Sequence, residues 1–275
     1  MRLAAACVAT GFLMNNSIRV LGVVAGLSAS WAANAGPRDG LLLQYTFDDA
    51  TGTVIEDSSD NGWDAMATEV PLLLPAPGVD NQGMFFDGAT DAVDLPVEAL
   101  DAVGALTEGT IFVRFRYLNE LDVRPIEPLV YMGIDNEGDA DNLFVIEIGH
   151  DSASNHRLYF TWVRNGSLRL CFDTNFNLQQ GKMYSFAGIV GPDGNTGYLN
   201  GMELVDRRYN SGNQNTVYFF SDLPDDTKEI FTLGFGKTDD FQSRHFESFI
   251  GQIDEFRVYD RPLAGWEAER LTYLP

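Results

Sequence analysis

The sequence contains few basic residues and few cysteines. The small number of basic residues limits the partners that the protein can have. Of 275 residues, 18 are Lys or Arg and 40 are Asp or Glu, which gives a formal net charge of −22. A surface this negative repels phosphate groups, which argues against nucleic acid and anionic membranes as partners. Cations, neutral ligands such as sugars, and proteins remain. Aromatic residues make up 12% of the chain, too many for a disordered acidic segment.

The first 35 residues lack acidic side chains and predict a secretory signal. Their only charges are Arg2 and Arg19, and the apolar stretch Val20–Ala35 ends in small residues before Gly36. A basic region, an apolar region and small residues at a cleavage site, in that order, are typical of a signal peptide. The apolar stretch is too short to cross a bilayer. No membrane insertion is expected once the signal has been removed. We therefore expect a secreted, periplasmic or cell-surface protein.

Polar residues interrupt the apolar run just after Met14, so we expect translation to start at Met14. Removing residues 1–35 leaves one predicted domain, residues 36–275, with a net charge of −24. It also removes Cys7, so that Cys171 is alone and no internal disulfide can form. Cys171 lies in a strand pattern, which predicts a buried, unreactive thiol.

Strand patterns separated by Gly, Asn, Asp or Pro run along the whole of residues 36–275, and no long helical period occurs. In Thr110–Tyr117 apolar residues alternate with two arginines, which is typical of a strand with one buried face. Asn165-Gly166 and Asp193-Gly194 predict tight hairpin turns. Only Leu263–Tyr273, after Pro262, predicts a helix, and a short one. The pattern indicates an all-β antiparallel sandwich or barrel.

Four motifs carry a resemblance to a known family. They are Leu42-Leu-Gln-Tyr-Thr-Phe-Asp-Asp49, Asp57-Ser-Ser-Asp-Asn-Gly62, Phe85-Phe-Asp-Gly88 and Gly251-Gln-Ile-Asp-Glu-Phe-Arg-Val-Tyr-Asp-Arg-Pro-Leu263. In this order they resemble the laminin-G-like jelly-roll domains of the concanavalin-A-like lectin/glucanase superfamily. The resemblance covers essentially all of residues 36–275. It implies an antiparallel two-sheet jelly-roll sandwich, with one concave sheet and with the first and last strands side by side.

The resemblance also implies a structural calcium ion where the two ends of the chain meet. Carboxylate, amide and backbone oxygens suit this hard cation. The implied ligands are Asp48, Asp57, Asn61 and Asp254, with Asp49 as an alternative to Asp48. Asp60 stands where the family usually has glycine and adds a charge to the turn. The alternative is that these side chains only close turns through hydrogen bonds to the backbone.

The catalytic motif of the superfamily's glucanases, Glu-x-Asp-x-Glu on one strand, is absent. Its nearest counterpart is Ile253–Arg257, where Gln252 stands in place of an upstream glutamate before Asp254 and Arg257 in place of a downstream glutamate after Glu255. The chain contains three histidines, His150, His156 and His245, so its composition does not exclude the active site of a lyase. No sequence motif supports such a site. Whether the protein is an enzyme therefore stays open, and binding is favoured.

Sugar sites stack aromatic rings on pyranose faces and surround them with Asp, Asn and backbone amides. Aromatic residues in such polar surroundings include Phe176 and Tyr218, and the regions favoured for a site are 206–220 and 238–247. The residues selected as candidate ligand contacts are Trp63, Trp162, Tyr209, Phe241 and His245. Three functions remain open at this point. They are a secreted carbohydrate-binding module, a protein-interaction or adhesion domain of the cell envelope, and a glycan-active hydrolase or lyase.

Overall fold

A computed structural model describes residues 36–76, 81–119, 126–135, 141–150, 156–236 and 248–274. Their elements, in chain order, are β1 (Leu41–Tyr45), β2 (Val54–Ile55), β3 (Ala65–Ala67), β4 (Leu72–Pro75), β5 (Gln82–Asp87), β6 (Val93–Asp94), α1 (Val97–Gly104), β7 (Gly109–Tyr117), β8 (Ile126–Gly133), β9 (Leu143–His150), β10 (His156–Arg164), β11 (Ser167–Asp173), β12 (Met183–Gly191), β13 (Gly194–Leu199), β14 (Met202–Glu203), β15 (Arg208–Ser211), β16 (Ile230–Leu233), β17 (Ile250–Tyr259) and α2 (Gly265–Leu271). The predicted signal, residues 1–35, and the candidate residues Phe241 and His245 lie outside the described residues.

The strands form two antiparallel sheets, which confirms the predicted all-β sandwich. The first sheet has the order β14-β13-β12-β7-β17-β5-β4, and β1 also pairs with β17. The second sheet has the order β15-β11-β10-β9-β8-β16-β6-β3-β2. As the resemblance implied, the first and last strands are neighbours, with Tyr45 opposite Phe256. The first and last described strands therefore lie in the same sheet.

The core lies between the sheets and is rich in aromatic rings. On β7 the alternating residues Ile111, Val113, Phe115 and Tyr117 all belong to it, as the pattern predicted. Trp162 of β10 is fully buried and packs edge-on against Phe220, with the ring centres 4.8 Å apart. Tilted and edge-to-face contacts of this kind add stabilisation beyond the apolar area that they bury.

The predicted hairpins form, but between β12 and β13 the two turn residues are Pro192 and Asp193, because Gly194 already pairs with Gly191. The other two tight turns are Asn-Gly pairs. Asn165 and Gly166 have φ values of 51° and 66° between β10 and β11, and Asn200 and Gly201 have values of 50° and 76° between β13 and β14. Two successive residues in the left-handed region are typical of type I′ turns, which match the twist of antiparallel strands. These turns fix the register of both hairpins.

Two α-helices and two short 3-10 helices (Phe220–Asp222 and Asp225–Thr227) occur in the described residues, whereas the sequence predicted one helix. The predicted C-terminal helix is α2, which covers an apolar cluster on the outer face of the first sheet that includes Phe112, Ile189 and Leu271. The additional α-helix is α1, which buries Ala99, Leu100 and Val103. Eight residues are too few for a helical period to stand out, which is why the sequence pattern did not predict α1. No helix among the described residues is long and apolar enough to cross a membrane.

Candidate functional site

An open cleft of about 430 Å³ lies between the β13–β14 hairpin of the first sheet and the turn that follows β11 in the second sheet. Its described lining consists of Thr174, Phe176, Tyr184, Leu199, Asn200, Met202, Glu203, Leu204, Val205, Asp206 and Arg207. The volume is in the range of small-molecule sites.

The cleft has a buried apolar floor and exposed apolar walls. Tyr184, Leu199 and Leu204 are buried beneath it. Phe176 is 46% exposed, and Met202 and Val205 on the hairpin side are more than 70% exposed. An exposed aromatic ring above an apolar floor is the arrangement that a flat, partly apolar ligand requires.

Local hydrogen bonds explain why Phe176 is presented outward. Asn175 takes a left-handed φ of 55°, and its N–H donates to Oδ1 of Asp173 at 2.7 Å. The Thr174 hydroxyl then donates to the carbonyl of Phe176 at 2.8 Å. Asp and Asn side chains favour such turns because they bond to the backbone two residues away. The turn ends the strand and leaves the Phe176 ring outside the core.

Arg207 holds the far wall of the cleft in place. Its guanidinium donates from Nη1 to the carbonyl of Leu204 and from Nη2 to the carbonyl of Asn195, both at 2.9 Å. It also lies over the rings of Phe172 and Tyr209, 5.7 and 5.4 Å from their centres. A cation over aromatic faces adds to the stability of this turn.

Tyr209, a predicted ligand residue, supports Arg207 and does not line the cleft. Its hydroxyl donates to Oδ1 of Asn195 at 2.8 Å and accepts from Nε of Arg207 at 2.7 Å. Burial raises the pKa of Tyr209, although the hydrogen bond and charge of Arg207 oppose the shift. The phenol therefore stays neutral and acts as a fixed partner for the arginine.

The other described candidates do not reach the cleft either. Trp162 is fully buried in the core, so its prediction as a ligand platform is wrong. Its strand pattern is compatible with either face, and the sheet packing turned this residue inward. Trp63 is half-buried against the core, and its carbonyl accepts a hydrogen bond from the Tyr45 hydroxyl. The exposed ring of the site is Phe176, which the sequence marks by the polar residues on both sides of it.

The predicted calcium ligands fall into two groups with different surroundings. Both oxygens of Asp57 already accept hydrogen bonds, from the N–H groups of Gln44 and Ser59 at Oδ1 and from Trp63 N–H and the Ser59 hydroxyl at Oδ2. Asn61 donates from Nδ2 to the carbonyl of Leu42 at 2.9 Å. These two side chains close the turn after β2, which is the arrangement that the alternative interpretation described.

Asp48 and Asp254 form the second group, around Gly83 of β5. A Cβ atom on Gly83 would lie 2.9 Å from Cα of Asp254 and 2.9 Å from Cγ of Gln252, so these residues converge there. Oδ1 of Asp254, Oε1 of Gln252 and Oδ1 of Asn81 are all buried without a hydrogen-bond partner. Unsatisfied buried oxygens are uncommon in folded proteins and require an explanation.

The negative charge of Asp48 influences the pKa of Asp254 in this second group. Burial raises the pKa of Asp254, the charge and hydrogen bond of Arg114 oppose the shift, and the charge of Asp48 adds to it. Asp48 follows Phe47, which has a left-handed φ of 62°, rare for a bulky residue. Two carboxylates and two amide oxygens suit a hard cation. No group of three or more His, Cys, Asp or Glu side chains in the described parts of the chain suits a metal, and the amides of Asn81 and Gln252 add ligands beyond those residue types.

The buried carboxylates of the two sheets are held by arginines. Arg114 pairs with Asp254 and Glu255, and Arg257 pairs with Glu255. On the second sheet, Oδ2 of Asp173 accepts from Nη2 of Arg208 at 2.7 Å and from Nδ2 of Asn210 at 2.9 Å. Through these ion pairs and hydrogen bonds, the buried carboxylates link β17 to β7 and β11 to β15.

Comparisons with known proteins give structural similarity only. No protein-family model matches the sequence, and a comparison with curated proteins finds no match. Domain 4 of AbnA, a GH43 extracellular arabinanase of Geobacillus stearothermophilus solved with arabinotriose, is 18% identical over 84% of this chain and 98% of its own, with a TM-score of 0.55. The CBM40 of a Ruminococcus gnavus sialidase, bound to α2,3-sialyllactose, is 20% identical over 70% and 96%, with a TM-score of 0.54.

The binding domain of botulinum neurotoxin serotype D/C is also similar, with 13% identity over 86% of this chain and 52% of that one and a TM-score of 0.55. Identities this low establish the fold alone. The chain is a jelly-roll β-sandwich, the fold that is also found in these carbohydrate-binding modules and in the binding domain of this toxin.

Proposed function

We propose that the protein is a carbohydrate-binding module of laminin-G-like, concanavalin-A-like type, and that its ligand occupies the cleft beside Phe176. The exposed ring of Phe176 is the observation that carries the proposal, because sugar rings stack on aromatic faces through their C–H groups. Asn200, Glu203 and Asp206 supply polar groups at the rim for the sugar hydroxyls. The complexes of similar domains with sialyllactose and arabinotriose support a glycan as the ligand.

A glycan array tests the proposal with the chain from residue 36 onward. Phe176→Ala should lower the affinity for the glycans that bind by about fivefold to thirtyfold, since stacking on an aromatic ring contributes on the order of 1–2 kcal/mol. Trp266→Ala is the matched control, because Trp266 is similarly exposed at 48% but lies on α2 and does not line the cleft. Equal losses in both variants, or no glycan binding at all, would contradict the proposal. Binding of an envelope protein that Phe176→Ala abolishes would favour the adhesion function.

We also propose a structural calcium ion held by Asp48, Asn81, Gln252 and Asp254. The unpaired buried oxygens of Asn81, Gln252 and Asp254 around Gly83 support this set. Asp48 is held beside them by a hydrogen bond of 2.8 Å from the N–H of Gln82 to its Oδ1, whereas both oxygens of Asp57 are used by the turn. When bound, the ion would join the turn after β1 to β17 and so tie the two ends of the domain together. It would stabilise the folded state, because the unfolded chain does not bring these ligands together.

We further propose that residues 1–35 are a secretory signal and that the module acts outside the cytoplasm. The absence of acidic residues and the apolar stretch before Gly36 support this. N-terminal sequencing of the exported protein should give a first residue at or close to Gly36. A mature protein that begins far from Gly36 would contradict the cleavage site.

A further inference from the structure

We infer that the Phe176 cleft selects sugars by charge, binding an amino sugar more tightly than a neutral sugar and rejecting a sugar that carries a carboxylate. The inference deepens the proposed function and rests on it. Its basis is the set of charged side chains around the cleft, namely Glu203, Asp206 and Arg207.

The carboxylates of Glu203 and Asp206 are the charged groups that are accessible to a ligand in the cleft. The side chain of Glu203 is 46% exposed, and Asp206 is also exposed. Both border the apolar segment Leu204–Val205, and Val205 forms part of the wall. A sugar stacked on Phe176 and packed against this segment therefore lies beside two negative groups on the same wall. An ammonium group on the sugar would be attracted to them, and a carboxylate group repelled.

Arg207 is not available to pair with the carboxylate of an acidic sugar. Its side chain is 8% exposed, and Nε, Nη1 and Nη2 already donate to Tyr209, Leu204 and Asn195. It lies 3.8 Å from Oε1 of Glu203 and so offsets part of that charge, but among the described residues no ion pair involves Asp206. Pulling Arg207 out to bind a carboxylate would break three hydrogen bonds and its contacts over Phe172 and Tyr209.

The charge of the whole chain acts in the same direction. With a formal net charge of −22, the potential around the protein opposes the approach of any anion and favours cations. A carboxylated ligand therefore meets repulsion both at long range and at the cleft. Salt screens charges that are exposed to solvent, so the selectivity should weaken as ionic strength rises.

Three β-1,4-linked tetrasaccharides with the same ring configuration test the inference: cellotetraose, the glucosamine tetramer and the glucuronic acid tetramer. They differ in charge at each unit and little in shape. By isothermal titration calorimetry at pH 6 and low salt, we expect the glucosamine tetramer to bind about tenfold more tightly than cellotetraose, as expected for close charge pairs at an exposed site. The glucuronic acid tetramer should not bind measurably. The difference between the first two should shrink in 0.5 M NaCl.

The double variant Glu203→Gln/Asp206→Asn should bring the glucosamine tetramer and cellotetraose to equal affinity, because the amides keep hydrogen-bonding groups at the rim and remove only the two negative charges. Asp193→Asn is the matched control, since Asp193 is exposed but lies outside this cleft, and it should leave the ratio unchanged. Equal binding of the glucosamine and glucuronic acid tetramers, or a ratio that the double variant leaves intact, would overturn the inference while the proposed function stands. If none of the three binds, the inference is overturned, and the glycan array with Phe176→Ala decides the proposed function independently.

Discussion

Arg114 and Asp254 form a buried ion pair that uses only one oxygen of the carboxylate. Nη1 of Arg114 donates to Oδ2 of Asp254 at 3.1 Å, and both side chains are almost wholly buried. Oδ1 of Asp254 has no hydrogen-bond partner. The pair therefore anchors β17 to β7 and leaves one oxygen available for a cation.

The first prediction concerns calcium. Saturating calcium should raise the thermal midpoint of the wild-type domain, and EGTA should lower it again. At about 100 times the dissociation constant, an ion that binds only the folded state adds about 2.7 kcal/mol, which corresponds to roughly 5–10 °C for a domain of this size. Asp48→Asn should abolish most of this shift, because it removes one of the two carboxylate charges at the site. Differential scanning calorimetry measures all of these midpoints.

Asp57→Asn is the matched control for the calcium prediction. Because Asp57 accepts four hydrogen bonds in its turn, its replacement should lower the midpoint in the absence of calcium. The increment produced by calcium should nevertheless stay the same. If Asp57→Asn removes the calcium effect and Asp48→Asn does not, the ligand set centred on Gly83 is wrong and the set that includes the turn is restored.

The second prediction concerns the buried arginine. Arg114→Met should lower the free energy of unfolding by about 3–5 kcal/mol, because it leaves Asp254 without a buried positive partner and leaves Glu255 with Arg257 alone. It also removes hydrogen bonds from Nη2 to the carbonyls of Leu271 and Leu274, which hold the C-terminal end against the first sheet. Urea denaturation measures the change. Arg169→Met, at an exposed position on β11, should stay within about 0.5 kcal/mol of wild type. Comparable losses in the two variants would contradict the assigned role of Arg114.

The third prediction concerns pH. Glu267 accepts from Nη1 and Nη2 of Arg261 at 2.9 and 2.7 Å and from the N–H of Ala264 at 2.9 Å. Burial raises the pKa of Glu267, but the hydrogen bonds from Arg261 and Ala264 and the charge of Arg261 outweigh it, so the pKa is lowered. A lowered pKa in the folded state means that this stabilisation is present above the usual pKa of glutamate. It is lost as pH falls through the lowered value.

Glu267→Gln should therefore be less stable than wild type by about 1–2 kcal/mol at pH 7, with the difference closing as pH falls below the usual pKa of glutamate and through the lowered value. Urea denaturation across this range gives the difference at each pH. Glu269→Gln is a suitable control, because Glu269 is exposed on the same helix. A stability difference for Glu267→Gln that does not depend on pH would contradict the ion-pair explanation.

The fourth prediction concerns Cys171. Burial raises the pKa of its thiol to about 12, with the hydrogen bonds of Thr161 and Asn210 opposing the shift and the charges of Glu147 and Asp173 adding to it. Because the thiolate is the reactive form, the native protein should react with Ellman's reagent at pH 8 far more slowly than the protein unfolded in urea. Rapid labelling of the native protein would contradict the buried environment.

Most of the fold could be predicted from the sequence, because local signals and the long-range pairing agreed. The Asn-Gly turns set two hairpins through backbone conformations that few other residue pairs adopt, and alternation on β7 set which face enters the core. The motifs at the two ends anticipated the pairing of β1 with β17. The laminin-G-like assignment, the calcium ion and the secretory signal stay predictions.

The site was less predictable, because each of its features depends on residues far apart in sequence. The sequence alone determined the strand periods, the turns, the acidic balance and the polar surroundings of Phe176. Only the tertiary structure decided that Trp162 faces the core, that Tyr209 supports Arg207, and that Asn81 and Gln252 join Asp48 and Asp254 around Gly83. The physical reason is that a strand period states only that two faces differ, whereas packing between sheets decides which face is buried and which distant oxygens meet.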